Sequence, residues 1–152
     1  MALWYFAYGS NLLKEQMLAR TGRIGDPDFP PRIADLPNWQ VVFQCLDEAS
    51  PAFANIQTPG RGVTGVIYRC SPIDLEKLDV YEAGYERQFV EVTDGQGDTV
   101  TAVAYIMRPT SPDKYDRPAD DYLNRILNGA KQHNLCSSYI TSIVTIARAK
   151  NC

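Results

Sequence analysis

YERQFVEVTDGQGDTVTAVAYIM, residues 85–107, is the stretch that decides the fold class. Tyr85–Thr93 and Thr99–Met107 are rich in β-branched and aromatic residues and flank the turn sequence Asp94-Gly95-Gln96-Gly97. That pattern predicts an antiparallel hairpin. Immediately upstream, Ser71-Pro72-Ile73-Asp74 is a helix start: a serine cap, proline at the first helical position and an acid at the third. The helix is expected to run to about Glu82, with Gly84 as its C-terminal cap. Further upstream, Trp39–Cys45, Phe53–Gln57 and Val63–Arg69 read as three strands able to form a meander, the last entered through Pro59-Gly60-Arg61-Gly62.

At the beginning of the chain, Leu3–Tyr8 reads as a strand stopped by Gly9. A helix is expected next, capped by Ser10 or Asn11, with Leu12, Leu13 and Met17 on one face. Thr21–Pro37 holds four prolines and two glycines and is expected to be mostly irregular. Downstream of the hairpin come a proline-rich loop, Pro109–Pro118, and two helices, Asp120–Gln132 and Ser137–Ala149, the second with an apolar stripe of Ile140, Ile143, Val144 and Ala147. Strands and helices alternate without a doubly wound rhythm. The fold class is α+β, with a mainly antiparallel, barrel-like sheet flanked by helices in one domain, 1–152.

Composition narrows the function. Of 152 residues, 45% are hydrophobic and 22% charged, a globular balance, and the net charge of −3 argues against a nucleic-acid partner. The opening MALWYFAYGS has no basic leader and an apolar run too short for a signal core or a membrane span, so a cytoplasmic location is expected. Cys45, Cys70, Cys136 and Cys152 form no Cys-x-x-Cys pair and are expected to be small buried hydrophobes or an exposed terminal thiol. His133 is the only histidine, which excludes a His-rich metal site, and it is expected to be solvent-exposed where a helix ends.

Three features could carry chemistry. Leu75, Leu78 and Glu82 fall on one helical face, which puts a carboxylate among apolar residues while Glu76, Lys77 and Asp79 point elsewhere. Burial and the negative helix end would both raise its pKa towards the range of a general acid or base. The bland alternative is a solvated glutamate or a partner of Arg87. Tyr8-Gly9-Ser10-Asn11, a strand end opening onto a helix, leaves backbone N–H groups able to hold a carboxylate or an oxyanion, or is an ordinary capped turn. Tyr8, Tyr85, Tyr105 and Tyr122 could pack the core or offer hydroxyls to a zwitterion.

Together these residues resemble the gamma-glutamylcyclotransferase-like (AIG2-like) family. Tyr5-Phe6-Ala7-Tyr8-Gly9-Ser10-Asn11-Leu12 is similar to its N-terminal signature, and Leu78–Arg87 to the segment that carries its catalytic glutamate. Ala54-Asn55-Ile56, Ala104-Tyr105-Ile106, Tyr122 and Gly129-Ala130-Lys131 extend the likeness along the chain. One departure is Ala83, where the family usually has glycine directly after the glutamate.

The resemblance implies the gamma-glutamylcyclotransferase fold and an enzyme that uses no metal or organic cofactor. Its small-molecule substrate would be a γ-glutamyl amino acid or amine, whose α-amine attacks its own γ-carbonyl to give 5-oxoproline and a free amine. Glu82 would be the acid–base residue and Tyr8, Gly9, Ser10, Asn11, Tyr85, Tyr105 and Tyr122 the substrate contacts. The leaving amine stays open. A non-catalytic binding protein on the same fold is the alternative. A Ser10–His133 hydrolase fails on context, because Ser10 is not in Gly-x-Ser-x-Gly.

Overall fold

The computed structural model describes residues 1–149; Cys152 lies outside the described residues. The hairpin of Tyr85–Asp94 (β6) and Thr99–Met107 (β7) is paired from Tyr85↔Met107 to Thr93↔Thr99. It forms one wall of a closed barrel with Leu3–Ala7 (β1), Arg32–Leu36 (β2) and Val63–Cys70 (β5), in the order β1-β5-β2-β6-β7. Among the described residues only the closing β1–β7 pair is parallel. Gln40–Cys45 (β3) and Ala52–Gln57 (β4) make a separate two-stranded sheet.

Thr21–Pro37 is mostly irregular, as expected, but it holds one strand that was not expected: β2 pairs β5 from Arg32↔Ile67 to Leu36↔Val63 and meets β6 at Ala34 and Asp35. Its signal is short and bracketed by Pro30, Pro31 and Pro37, so only its partners on both sides make it a strand. The expected meander does not form. Val63, Gly65, Val66, Ile67, Tyr68 and Cys70 of β5 are buried, and a strand covered on both faces belongs at the centre of a sheet. It therefore leaves the β3–β4 hairpin to lie between β1 and β2.

Among the described residues four α-helices surround the sheets: Lys14–Thr21 (α1), Pro72–Asp79 (α2), Asp120–Gln132 (α3) and Ser137–Arg148 (α4). None of them is long and apolar enough to cross a membrane. α2 opens as expected: the Ser71 hydroxyl accepts the Asp74 N–H at 3.1 Å and the Asp74 carboxylate accepts the Ser71 N–H at 2.9 Å. Arg23 adds an ion pair to Asp74 at 2.7 Å. Ser71→Ala should therefore cost about 1 kcal/mol, lowering Tm by roughly 2–4 °C at unchanged kcat/KM, measurable by a thermal melt.

Ser10 and Asn11 do not cap α1. They lie in a 3-10 turn, Ser10–Leu12, and α1 begins two residues later with Leu13 at its cap position and no capping side chain there. The free Lys14 N–H is met from a distance by Gln132 Oε1 of α3, at 2.9 Å. His133, at the end of α3, is half-buried rather than solvent-exposed. Its Nε2 lies 3.0 Å from both the Leu12 carbonyl and the Tyr68 hydroxyl. Burial, with Lys14 nearby, holds its pKa below the ordinary histidine value, so it is a neutral clip between α3 and the 3-10 turn. Cys45 and Cys70 are buried as expected, and Cys136, expected to be buried unless terminal, is exposed at the start of α4.

Candidate active site

A cavity of about 290 Å³ lies where β1 ends, and it gathers every residue singled out from the sequence: Glu82, the Tyr8–Asn11 turn, Tyr85, Tyr105 and Tyr122. These come from five different parts of the chain, brought together by barrel closure and by the docking of α3. Gly9 keeps the floor open. A Cβ there would meet Ala54 Cβ at 3.4 Å and the Tyr122 hydroxyl at 3.8 Å, filling space that a ligand could use. The N–H groups of Gly9, Ser10 and Asn11 have no hydrogen-bond partner among the described residues, as expected of a 3-10 start. All three residues line the cavity, where unpartnered N–H groups of successive residues are able to act as a donor nest.

The side chains of this turn face the protein. Gln16 donates to Ser10 Oγ at 2.7 Å and to Asn11 Oδ1 at 2.9 Å, while Asn11 Nδ2 donates to the Tyr5 hydroxyl at 3.0 Å. Ser10 Oγ thus has an amide donor and no hydrogen bond to His133, which removes the geometry a serine hydrolase would need.

Glu82 is placed differently from the expectation. α2 ends at Asp79, and the chain tightens into bonds from Tyr81 N–H to the Leu78 carbonyl and from Glu82 N–H to the Asp79 carbonyl. Gly84, at φ +90°, closes this turn in the left-handed region, so the conformation that favours glycine falls one residue after Ala83. Glu82 therefore sits in the turn beyond the helix, with its side chain only 15% exposed. Arg87, the partner that the bland alternative gave to Glu82, is taken by Asp79 instead, through a two-pronged ion pair, and Tyr105 donates to the same carboxylate at 2.6 Å.

Electrostatics separate the two acids. Burial opposes the charge on Asp79, but Arg87 and Tyr105 outweigh it and hold the carboxyl below its ordinary pKa. Glu82 goes the other way: burial, opposed by Arg20 and assisted by the negative charge of Asp79, raises it to about 7. A neighbouring carboxylate thus acts where a helix end was expected to. Two carboxyl groups whose environments push them apart are a common arrangement for acid–base work.

Most of the tyrosine protons are committed. Tyr8 donates to the Tyr105 carbonyl at 2.5 Å, Tyr85 to the Ala54 carbonyl at 2.7 Å and Tyr105 to Asp79. Tyr122 accepts the Ala54 N–H at 3.0 Å, which leaves its proton for a ligand. Tyr5 likewise accepts from Asn11, and it is a cavity residue that the sequence reading did not select. Arg20 and Arg125 were also missed. Arg125 lies three residues after Tyr122 on α3, so helical spacing alone could have found it; Arg20 has no such signal.

The arrangement offers one titrating carboxyl, a nest of backbone donors, two guanidinium groups and two hydroxyl donors in one small cavity. The family model described as gamma-glutamyl cyclotransferase, AIG2-like, matches residues 5–124. The sequence is 27% identical to mouse gamma-glutamylcyclotransferase over an alignment of 160 positions, gaps included, that covers 89% of this chain and 73% of the mouse protein. Among solved structures, a gamma-glutamyl cyclotransferase superposes with a TM-score of 0.82 at 28% identity, over 99% of this chain and 91% of the other. An uncharacterized human protein superposes with a TM-score of 0.78 at 26% identity, again over 99% and 91% of the two chains.

Proposed function

The chain belongs to the gamma-glutamyl cyclotransferase, AIG2-like family, and from that premise we propose that it converts γ-glutamyl amino acids or amines to 5-oxoproline and the free amine. The observation that carries this reading is Glu82, a buried carboxyl with its pKa raised to about 7, in the same cavity as the unpartnered N–H groups of Gly9–Asn11.

The nucleophile is part of the substrate, so the protein has to fold the glutamyl chain and move protons. The Glu82 carboxylate takes a proton from the substrate α-ammonium. The freed amine attacks the γ-carbonyl carbon and closes a five-membered ring, and the N–H groups of Gly9–Asn11 hold the developing oxyanion. Protonated Glu82 then gives its proton to the leaving nitrogen as the original amide bond breaks, and the carboxylate so regenerated takes the second proton from the ring nitrogen and passes it to the released amine, which leaves as an ammonium. Water is not consumed. Tyr122 and Tyr5, with free hydroxyl protons, hold the substrate's polar groups, and Tyr8, Tyr85 and Tyr105 build the walls. The route uses no metal or organic cofactor.

A direct test compares γ-glutamyl-alanine with its α-linked isomer. Release of alanine together with 5-oxoproline from the γ-isomer alone is expected. Binding of the γ-isomer without product would instead support a binding protein that has kept the fold.

A further inference from the structure

Glu82 is held from α1 as well as by its own turn. Arg20 Nη1 lies 4.0 Å from Glu82 Oε1 and donates to Asn11 Oδ1 at 3.1 Å, and its guanidinium stacks over the Tyr81 ring, 4.6 Å from the centroid. One turn earlier on the same helix face, Gln16 bonds Ser10 and Asn11. A single side chain therefore touches the acidic residue, the backbone donor turn and the segment between α2 and β6. Its own side chain is 20% exposed, so the Arg20–Glu82 pair is little screened by solvent.

We propose that Arg20 is the positioning residue of this site: it keeps the Glu82 carboxylate charged and aligned with the Gly9–Asn11 donors, so that one guanidinium sets both the proton acceptor and the oxyanion nest. This rests on the reading of Glu82 as the proton-transfer group.

The groups facing Glu82 support it. Asp79, at the end of α2, is anionic and works against a second negative charge. Tyr5 and Tyr8 at β1, Tyr85 on β6 and Tyr122 on α3 are held neutral, their hydroxyl pKa values pushed up first of all by burial. Tyr105 on β7 is likewise neutral and bonded to Asp79. Arg125 is the other cation on the cavity wall among the described residues, and its contacts are Gln16 at 3.4 Å and Asp121 at 3.6 Å rather than Glu82. The favourable charge on Glu82 therefore comes from Arg20, opposing burial and Asp79. Arg20 cannot simply be replaced by solvent, because Asn11 on one side and the Tyr81 ring on the other fix its guanidinium.

The test pairs an activity-free titration with kinetics. The Glu82 carboxyl is followed by carbon NMR on selectively labelled protein, and kcat/KM for γ-glutamyl-alanine is measured from pH 6 to 9.5, in wild type, Arg20→Gln and Arg20→Lys. In Arg20→Gln the titration and the acidic limb of the rate profile should both move up by about one pH unit or more. Turnover at pH 7 should then fall about fivefold or more and largely return by pH 9, and Arg20→Lys should restore most of the wild-type profile. A merely structural role would lower the rate equally at every pH. That result, or an unmoved Glu82 titration, overturns the proposal.

Should Arg20→Gln not fold, Tyr81→Ala removes an exposed ring and frees Arg20 to leave Glu82. It should shift both readings in the same direction by a smaller amount, and no shift would again overturn the proposal. The two readings separate cleanly. Full activity in Glu82→Gln removes Glu82 from the chemistry while the titration still reports its coupling to Arg20. An inactive Glu82→Gln with an unmoved titration sinks only the role of Arg20.

Discussion

Replacing Glu82 by glutamine is expected to lower kcat/KM for a γ-glutamyl substrate by about two to four orders of magnitude while making the folded protein more stable above pH 7. The rate loss follows from removing a cavity carboxyl whose pKa is raised to about 7, so that its protonation changes near neutrality. The stability gain follows from linkage. The carboxyl of Glu82 is raised from 4.5 to about 7 by burial, so between those values the folded chain holds a proton that the unfolded chain has released. Wild-type stability therefore falls as pH rises through that window, and the full cost, about 3 kcal/mol, is present above it. Glutamine never ionises and escapes this cost. Melting curves at pH 4.5 and pH 8.5 should show the variant level with wild type at the lower pH and several degrees higher at the upper. Lower stability at both would mean that Glu82 is a structural residue rather than a group held for use.

The second large effect lies away from the chemistry. Gly129→Ala should destabilise the protein by about 3 kcal/mol, although alanine is the better helix former by about 1 kcal/mol in an exposed helix. A Cβ on Gly129 would come within 3.0 Å of the Leu12 carbonyl carbon and the Leu13 nitrogen, both backbone atoms, so no side-chain rotation can relieve the clash. α3 would have to back away from the 3-10 turn. The Gln132–Lys14 and His133–Leu12 bonds span the same contact and would lengthen with it. Tyr122 and Arg125 ride on α3, so the cavity would widen as the stability falls. The expected result is a Tm lower by roughly 6–12 °C, with KM for the substrate increased. An unchanged or higher Tm would show that α3 is not held at this contact.

Sequence patterns revealed what is local and missed what depends on distant partners. The β6–β7 hairpin, the Ser71 capping box, α3 and α4 were legible because each is set by residues within a few positions of one another. β2 was not, because its five residues between prolines become a strand only through β5 and β6. The end of α2 was misplaced because the apolar spacing of Leu75, Leu78 and Glu82 continues in register past Asp79, where the helix stops. Glu82 is buried for a different reason than periodicity suggested, since a turn closed by Gly84 folds it into the cavity. The same distance effect explains Arg20 and Tyr5, which only the docking of α1 and barrel closure bring to Glu82, whereas Arg125 follows Tyr122 by three residues on α3 and was open to discovery from that spacing. His133 had the opposite fate: a polar run at a helix end reads as solvent-exposed, yet its ring bridges Leu12 and Tyr68.

The central claim is that the substrate's own amine, not water, attacks the γ-carbonyl in this cavity. The most direct measurement is the mass of the glutamyl product formed from γ-glutamyl-alanine in water enriched in oxygen-18. The account expects 5-oxoproline with no heavy oxygen and an equal amount of alanine, because ring closure consumes no water. Glutamate carrying one heavy oxygen as the primary product would contradict it.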